Sequence, residues 1–285
     1  MEKIIRVNVL GVGISAISMV DAVHYSDKFL QNGARGYICV TGVHGIMEAQ
    51  ADEQFRHILN SSFLTTPDGK PTVWIGHWQG HTNMTRVYGP DFMLELCRLS
   101  VDRGYKHFLY GGKPGIAEAL REKLILRYPG LQIVGTYTPP FRPLTSQEEI
   151  ELEEQLLEAK PNVLWCGLST PKQEWFMARY TDKLPVKLMV GVGAAFDINS
   201  GNLKDAPQWM KDAGLQWLYR MFQEPRRLAV RYLANNPRFL WLLGLQMIGL
   251  RKYSIPAPAQ NPKPANHDEG APPLGQRFGS RSSNY

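Results

Sequence analysis

The sequence lacks the cysteine pairs, the paired acidic residues and the long hydrophobic run on which several protein classes depend. Its three cysteines lie far apart without a Cys-x-x-Cys pair, which argues against a zinc or redox centre. No Asp-x-Asp occurs, so a common device for holding a divalent ion against a phosphorylated ligand is missing. The longest apolar stretch, residues 239–250, is too short for a bilayer, which needs about 20 residues. We expect no metal, no cofactor and no membrane-spanning helix.

The composition is that of a folded, basic protein. The chain has 285 residues, 44% of them hydrophobic, and a formal net charge of +6. This favours one large domain with appendages, and the positive charge favours an anionic partner. No nucleic-acid-binding module accompanies the basic residues, so we expect no nucleic-acid partner. Residues 1–10 lack the pattern of a secretory signal peptide, which favours a cytoplasmic location.

Short β-rich runs alternate with segments of helical spacing along most of the chain. This alternation predicts an α/β fold, a Rossmann-like parallel sheet with helices on both faces. In such a fold the binding residues lie where strands end and loops open. We predict strands at residues 6–10, 37–41, 72–75, 108–110, 133–135, 163–166 and 188–192. We predict helices at residues 45–59, 91–103, 116–128 and 147–159.

The composition changes twice toward the C-terminus. Strand signals stop after about residue 205, and the following segment is helical in pattern and rich in Arg, Leu and Trp. From residue 255, small and polar residues dominate without apolar periodicity, which is typical of disorder. We predict a Rossmann-like catalytic domain at 1–210, a basic amphipathic helical appendage at 211–254 and a disordered tail at 255–285.

A glycine motif near the N-terminus supports a rival hypothesis. Gly11, Gly13 and Ala16 fit Gly-x-Gly-x-x-Ala directly after a predicted strand, a pattern that places a dinucleotide on a helix N-terminus. The next strand ends in Thr41-Gly-Val-His44, without the carboxylate that would hold a ribose. A nucleotide-dependent oxidoreductase therefore stays an alternative only.

Two histidines have a spacing that suits metal ligation. His77 and His81 stand four residues apart, which would place both on one face of a helix. Gly80 and the nearby Trp74 and Trp78 favour a surface turn with aromatic packing instead. We therefore assign these histidines no metal.

Asp68 stands in a Pro-Asp-Gly run just ahead of the predicted strand at 72–75. Such a run is typical of a tight turn when taken alone. Arg86 and Asp91 follow about twenty residues later, and carboxylates beside arginines in loops place a base next to an anion-binding group. We predict that Asp68, Arg86 and Asp91 belong to one site.

The segment YGGKPG at residues 110–115 is a strand, a glycine loop and a helix start. The free backbone amides of Gly111 and Gly112 can face a phosphate in such a loop. The alternative is a turn that lets the strand and the helix pack closely. The sequence leaves the two interpretations equally open.

Two further strand ends carry polar residues. The segment CGLSTPKQE at 166–174 places Lys172 and Gln173 in the first turn of a predicted helix, which favours ligand contact over simple capping. The segment GVGAAFD at 191–197 presents Asp197 after small residues that permit a close approach. All three side chains are candidate binding residues.

The ordered set of motifs resembles the bacterial WecG/TagA/CpsF glycosyltransferases, which include the N-acetylmannosaminyltransferases of teichoic acid and enterobacterial common antigen synthesis. Each segment is weak alone, but together they are specific and span about residues 5–235. The matching segments are PDG (67–69), RVYGPD (86–91), YGGKPG (110–115), PKQE (171–174), GVGAAFD (191–197), and WLYR (217–220) through EPRR (224–227).

The resemblance implies an inverting, metal-independent transferase. It would move a sugar, such as N-acetylmannosamine or a related hexose, from a uridine diphosphate sugar to an undecaprenyl-diphosphate-linked acceptor in surface or exopolysaccharide synthesis. By this likeness Asp68 matches the general base, and Arg86 would stabilise the departing diphosphate. Gln173 and Asp197 match positions lining the nucleotide-sugar pocket, and Thr41 matches a threonine on its floor.

Two departures from the family pattern bear on the donor sugar. The family commonly has Thr-x-Asn where this chain reads Thr41-Gly-Val-His44, and Glu where it has Gln216. His44 either takes over a polar contact to the sugar or is simply solvated. A non-catalytic polysaccharide assembly protein with the same fold is a further alternative, and the sequence leaves self-association into a homo-oligomer open.

The appendage pattern favours a peripheral position on the inner face of the bacterial cell membrane. An apolar stripe with interleaved arginines can lie on an anionic leaflet, and the arginines can meet the acceptor diphosphate. The alternative is an ordinary amphipathic helix docked on the core. The stripe comprises Leu215, Leu218, Phe222, Leu228 and Tyr232, and the arginines are Arg220, Arg226, Arg227 and Arg231.

Overall fold

The computed structural model describes residues 4–255 of the chain. The strands are β1 (Arg6–Val9), β2 (Val12–Ser15), β3 (Gly36–Thr41), β4 (Leu64–Pro67), β5 (Lys106–Gly111), β6 (Gln132–Tyr137), β7 (Val163–Gly167) and β8 (Leu188–Gly191). The helices are α1 (Met19–Gln31), α2 (Val43–Ala51), α3 (Glu53–Ser61), α4 (Lys70–Trp78), α5 (Gly89–Arg103), α6 (Ile116–Arg127), α7 (Ser146–Ala159), α8 (Lys172–Tyr180), α9 (Ala195–Asn199), α10 (Gln208–Asp212), α11 (Gln216–Gln223) and α12 (Pro225–Met247).

Six strands form one parallel sheet in the order β4-β3-β8-β7-β5-β6. Side chains of successive strand residues point to opposite faces, and the two faces enter two different hydrophobic cores. In β7, Leu164 packs into the core with α2, α3 and α8, while Trp165 packs into the core with α1, α5 and α6. Because both faces are covered by helices, the predicted α/β fold with a parallel sheet is confirmed.

One predicted strand is wrong. Residues 72–75, Thr-Val-Trp-Ile, have high β propensity but lie inside α4, and the strand of this region is β4, Leu64–Pro67. Pro71 near the start of α4 has the backbone geometry that a helix start requires. Pro67 is tolerated in β4 because β4 is an edge strand. Asp68 therefore follows the strand of this region at its carboxyl end.

The N-terminal glycine motif forms a hairpin instead of a helix start. β1 and β2 pair antiparallel outside the main sheet, and Leu10 and Gly11 make the turn with φ values of 52° and 83°. The predicted strand at 6–10 is therefore a hairpin strand, and no helix follows Gly13 directly. The dinucleotide hypothesis needs that helix, so the arrangement contradicts it.

The predicted helix at 45–59 is divided into α2 and α3. Asp52 lies between them, and its carboxylate accepts from the backbone amides of Gln54 and Phe55. This N-cap ends one helix and begins the next.

The C-terminal helices lie across the carboxyl edge of the sheet. The far end of α12 is fastened to the hairpin, since Gln246 Oε1 accepts from Leu10 N and Gln246 Nε2 donates to Asn8 O, both at 2.9 Å. Phe239 and Leu242 of α12 are buried against the core. Among residues 4–255 no helix is both long and apolar enough to cross a membrane. The predicted tail lies outside the described residues except for Ile255, and the division at residue 210 stays a prediction.

Candidate active site

A cavity with a volume of about 550 Å³ opens at the carboxyl edge of the sheet. Its walls come from the loops after β3, β4, β7 and β8 and from α11 and α12. Ligands of parallel α/β sheets bind at this edge, and the volume suits a drug-sized ligand. The structure brings together seven of the residues singled out from the sequence: His44, Asp68, Arg86, Gln173, Arg220, Arg227 and Arg231.

Asp68 lies directly after β4 and lines the cavity. Its backbone amide donates to Thr41 O at 3.2 Å, which ties this loop to the neighbouring strand β3. Within the described part of the chain its Oδ1 atom has no hydrogen-bond partner. Burial raises the pKa of Asp68, and Arg86 and the Gly89 backbone amide counteract part of that effect. An unoccupied carboxylate oxygen with a raised pKa suits a general base.

Arg86 binds the same loop as Asp68. Its Nε donates to the backbone carbonyl of Asp68, its Nη2 lies 4.0 Å from Asp68 Oδ1, and its guanidinium lies 4.2 Å from the ring centroid of Tyr88. Arg86 Nη2 also donates to Gln216 Oε1 at the start of α11. The guanidinium therefore connects the sheet to the appendage beside the candidate base.

Asp205 extends this connection. Its Oδ1 accepts from Tyr88 Oη at 3.0 Å and from Gln216 Nε2 at 3.1 Å, and its Oδ2 pairs with Lys211. Asp205 was not singled out from the sequence, where only its place in a loop beside Pro207 was visible. Gln216 was noted there only as a departure from the family pattern.

The appendage contributes a cationic wall. Arg220, Arg227 and Arg231 line the cavity, and Glu224 pairs with Arg220 at 3.3 Å and with Arg227. Burial lowers the pKa of Arg231, and so does the neighbouring charge of Arg227. One carboxylate among three guanidinium groups leaves an excess of positive charge, which suits an anionic ligand.

His44 lies in the first turn of α2 against the appendage. Its Nδ1 atom is 3.3 Å from Asn235 Nδ2 and 3.5 Å from Glu48 Oε1. Its Nε2 atom is buried without a hydrogen-bond partner in the described residues. Burial, and then the charge of Arg231, lower the pKa of His44 to about 4. His44 is therefore neutral at neutral pH and lies within the cavity wall.

Gln173 lines the opposite wall with its side chain 2% exposed. Its Oε1 accepts from Gly193 N at 2.9 Å, and its Nε2 donates to Glu174 at 2.9 Å. A Cβ at Gly191 would lie 3.0 Å from Gln173 Nε2, so the glycine leaves room for this amide. Burial raises the pKa of Glu174 to about 6.

The remaining candidate residues lie outside the cavity lining. Thr41 is buried at the end of β3, and Asp91 lies in the first turn of α5. Lys172 lies over the Phe141 ring at 3.9 Å, and Asp197 Oδ1 accepts from Asn202 at 2.9 Å. Arg226 is exposed on α12 and does not line the cavity, so the predicted group of four arginines contributes three to the wall.

The glycine loop after β5 is closely packed. Gly111 and Gly112 have φ values of 122° and 81°, and a Cβ at Gly111 would lie 2.8 Å from the Gly167 carbonyl carbon. Gly112 N donates to Gly167 O at 3.2 Å. Packing alone therefore requires both glycines, and their contact with a phosphate stays a prediction.

Two residues of the predicted apolar stripe of the appendage face the protein. Leu228 is 1% exposed and Tyr232 is half-buried, and both line the cavity, which fits the alternative of a helix docked on the core. The exposed residues of α12 at 230, 233, 237, 240, 244 and 247 recur every three or four positions, so they lie on one side of the helix. Val230 and Leu233 belong to this outer face, and Leu240 is exposed but also lines the cavity.

The histidine pair does not share a helix face. His77 lies in α4 and its Nε2 is 2.7 Å from Met84 O, whereas His81 lies beyond the end of that helix. Across residues 4–255, no three His, Cys, Asp or Glu side chains come together in a group that could hold a metal ion.

The parallel sheet and the arginines around Asp68 define an α/β enzyme with a site for an anionic ligand. The model of the glycosyl transferase WecG/TagA/CpsF family matches residues 7–253, and the chain belongs to this family. The predicted family and the predicted glycosyltransferase class are thereby confirmed.

Two curated relatives carry the same name, N-acetylglucosaminyldiphosphoundecaprenol N-acetyl-beta-D-mannosaminyltransferase. The protein from Bacillus subtilis (strain 168) is 30% identical over 176 residues, which cover 62% of this chain and 67% of that protein. The protein from Bacillus spizizenii (strain ATCC 23059 / NRRL B-14472 / W23) is 25% identical over 217 residues, which cover 76% of this chain and 82% of that protein.

Proposed function

We propose that this glycosyltransferase moves N-acetylmannosamine or a related sugar from a uridine diphosphate sugar to an undecaprenyl-diphosphate-linked acceptor, in the synthesis of a cell-surface polysaccharide. The names of both relatives describe such an acceptor and such a sugar. The observation that carries the proposal is that Asp68, Arg86 and three appendage arginines line one cavity.

In the proposed reaction Asp68 takes the proton of the acceptor hydroxyl. The acceptor oxygen forms a bond to the anomeric carbon as the bond from that carbon to the diphosphate oxygen breaks, with inversion of configuration. Asp68 lines the cavity, and its Oδ1 atom accepts no hydrogen bond from the described residues, which supports this role. Its raised pKa brings it nearer to the working pH of a general base.

Arg86 and the cationic wall stabilise the diphosphate groups. The leaving diphosphate gains negative charge as the bond breaks, and preorganised guanidinium groups lower the energy of that state. Arg86 lies beside Asp68, so it is assigned to the leaving diphosphate. Arg220, Arg227 and Arg231 come from the appendage and are assigned to the diphosphate of the lipid-linked acceptor.

The outer face of α12 supports a position of the protein on the inner face of the cell membrane. Leu233 is 69% exposed and Trp241 68% exposed, and Val230 is exposed on the same helix. Arg226 and Arg238 are exposed on the same helix. An apolar face with exposed cations suits an anionic lipid surface, from which the acceptor would reach the cavity.

A panel of nucleotide sugars tests the proposal by thermal unfolding of the full chain. A true donor at about 100 times its Kd stabilises the native state by about 2.7 kcal/mol through mass action. We expect uridine diphosphate N-acetylmannosamine to raise the Tm more than the corresponding guanosine or cytidine compounds. A transfer assay with a short-chain polyprenyl-diphosphate N-acetylglucosamine then checks the acceptor, and absence of product would contradict the proposal.

A further inference from the structure

A buried carboxyl group lies behind the cavity wall that carries Gln173. Glu174 belongs to the first turn of α8 and is 1% exposed. Its Oε1 atom accepts two hydrogen bonds, from Thr170 Oγ1 and from Gln173 Nε2, both at 2.9 Å. Its Oε2 atom has no partner among the residues that the structure describes. The mechanism proposed above makes no use of this group.

These two hydrogen bonds determine which donor and acceptor atoms of Thr170 and Gln173 are available to a ligand in the cavity. The single hydroxyl proton of Thr170 points to Glu174, so Thr170 Oγ1 offers only lone pairs to the cavity. Gln173 gives one Nε2 proton to Glu174 and accepts from Gly193 N, so one Nε2 proton stays available. The Gln173 amide cannot turn over without losing both bonds. Glu174 Oε1 accepts in either protonation state, so this arrangement does not depend on pH.

We infer that Glu174 is a positioning residue that makes this wall bind an uncharged substituent of the donor sugar. Thr170 Oγ1 accepts from a sugar hydroxyl or from the N–H of an acetamido group, and Gln173 Nε2 donates to an oxygen of the same sugar. The inference rests on the proposed function and adds to it the place of the sugar within the cavity.

The charge distribution of the cavity excludes the diphosphate from this wall. A diphosphate oxygen has no proton to donate to Thr170, and it would lie close to the Glu174 carboxyl group. Arg86, to which the leaving diphosphate is assigned, binds the Asp68 loop and Gln216 of α11 instead. The sugar therefore lies against Thr170 and Gln173, and its diphosphate lies against Arg86.

Calorimetric titration of the full chain with uridine diphosphate and with uridine diphosphate N-acetylmannosamine tests this division. Thr170→Val removes the acceptor with little change of shape, and Glu174→Leu removes the group that orients it. We expect each variant to raise the Kd of the sugar nucleotide by about fivefold to tenfold, which corresponds to the loss of a neutral hydrogen bond. The Kd of uridine diphosphate should stay within about twofold, because its contacts lie on the other wall.

Two further variants complete the experiment. Glu174→Gln keeps an acceptor oxygen and should retain most of the sugar affinity. Thr181→Val is the matched control, since its hydroxyl bonds Met177 O at the far end of α8, and both ligands should bind to it as to the parent. The double variant Thr170→Val with Glu174→Leu should bind the sugar nucleotide no more weakly than either single variant, because both changes disrupt the same hydrogen-bonded pair.

An equal loss of affinity for both ligands, or an unchanged sugar affinity in Thr170→Val, overturns this inference alone. If Glu174→Leu does not fold, Thr170→Val decides the question by itself. Failure of the parent protein to bind either ligand overturns the proposed function, and this inference with it.

Discussion

The two walls of the cavity are built by different means. The sheet wall holds its side chains through backbone groups, as Gly193 N holds Gln173 and Thr41 O holds the loop of Asp68. The appendage wall holds long arginine side chains through Glu224 and other side chains. A backbone contact at the end of a strand fixes an atom closely, whereas paired arginines can exchange partners. The sheet wall thus suits bond-making chemistry, and the appendage wall suits the binding of a large anionic lipid.

Replacing the candidate base should have the largest effect. Asp68→Asn keeps the shape of the sheet wall but removes the proton acceptor, so kcat should fall by about 10²- to 10⁴-fold. Donor affinity should change little, which a titration with uridine diphosphate checks beside the transfer assay. Asp102→Asn, an exposed position on α5, is the control. Parental turnover by Asp68→Asn would remove Asp68 from the mechanism.

The appendage arginines should affect acceptor binding instead. Arg231→Met removes a cavity-lining charge, and a charged hydrogen bond contributes about 1.5–3 kcal/mol, so the acceptor KM should rise by about 10- to 100-fold. Arg226→Met changes an exposed arginine of the same helix that does not line the cavity. Steady-state kinetics with varied acceptor separates the two variants. Equal losses in both would show that net charge, and not the cavity wall, is responsible.

The outer face of α12 should control membrane binding without controlling chemistry. Leu233→Ser with Trp241→Ser removes two exposed apolar side chains that do not line the cavity, and liposome affinity should fall by about tenfold or more. Flotation with vesicles containing anionic lipid measures the affinity. Turnover of a water-soluble acceptor should stay at the parental level. Ile125→Ser with Leu126→Ser, exposed on α6, is the matched control and should float like the parent protein.

The smallest expected effect is a shift in the pH profile. Asp68 must be deprotonated to act as a base, so kcat/KM should fall as the pH drops through its raised pKa. Arg86 lowers that pKa, so Arg86→Met should move the acidic limb of the profile to higher pH. Arg86→Met should also lower kcat. The quantity to compare is therefore the pH at which kcat/KM falls on the acidic side of the profile. An acidic limb that stays in place or moves to lower pH would contradict the pairing of Arg86 with the base.

The sequence predicted the parts of the site that depend on strand ends. Asp68, Arg86 and Gln173 follow short motifs in loops, and parallel strands bring such loops to one edge wherever the intervening helices lie. The strand before Asp68 was placed too late, because Thr72–Ile75 favours a strand locally while the edge strand ends in Pro67. The loop that carries Asp68 was still identified, because its polar residues are recognisable whether the strand comes before or after it.

The parts that depend on helix orientation were not predictable. α12 has apolar residues on both sides, with Leu228 and Phe239 buried and Leu233 and Trp241 exposed. Hydrophobic spacing cannot tell which side meets the core when both are apolar. The contact between Gln216 and Asp205 joins the appendage to the preceding loop, and no local motif indicates it.

The contact between Gln246 and the hairpin turn joins the last described helix to the first strands of the chain. During synthesis on the ribosome Asn8 and Leu10 emerge more than two hundred residues before this partner, so the bond that Gln246 makes to Leu10 N must wait for the end of α12. Late completion gives the enzyme a structural check: a product shortened before Gln246 loses the outer end of α12 and leaves the hairpin turn without that bond.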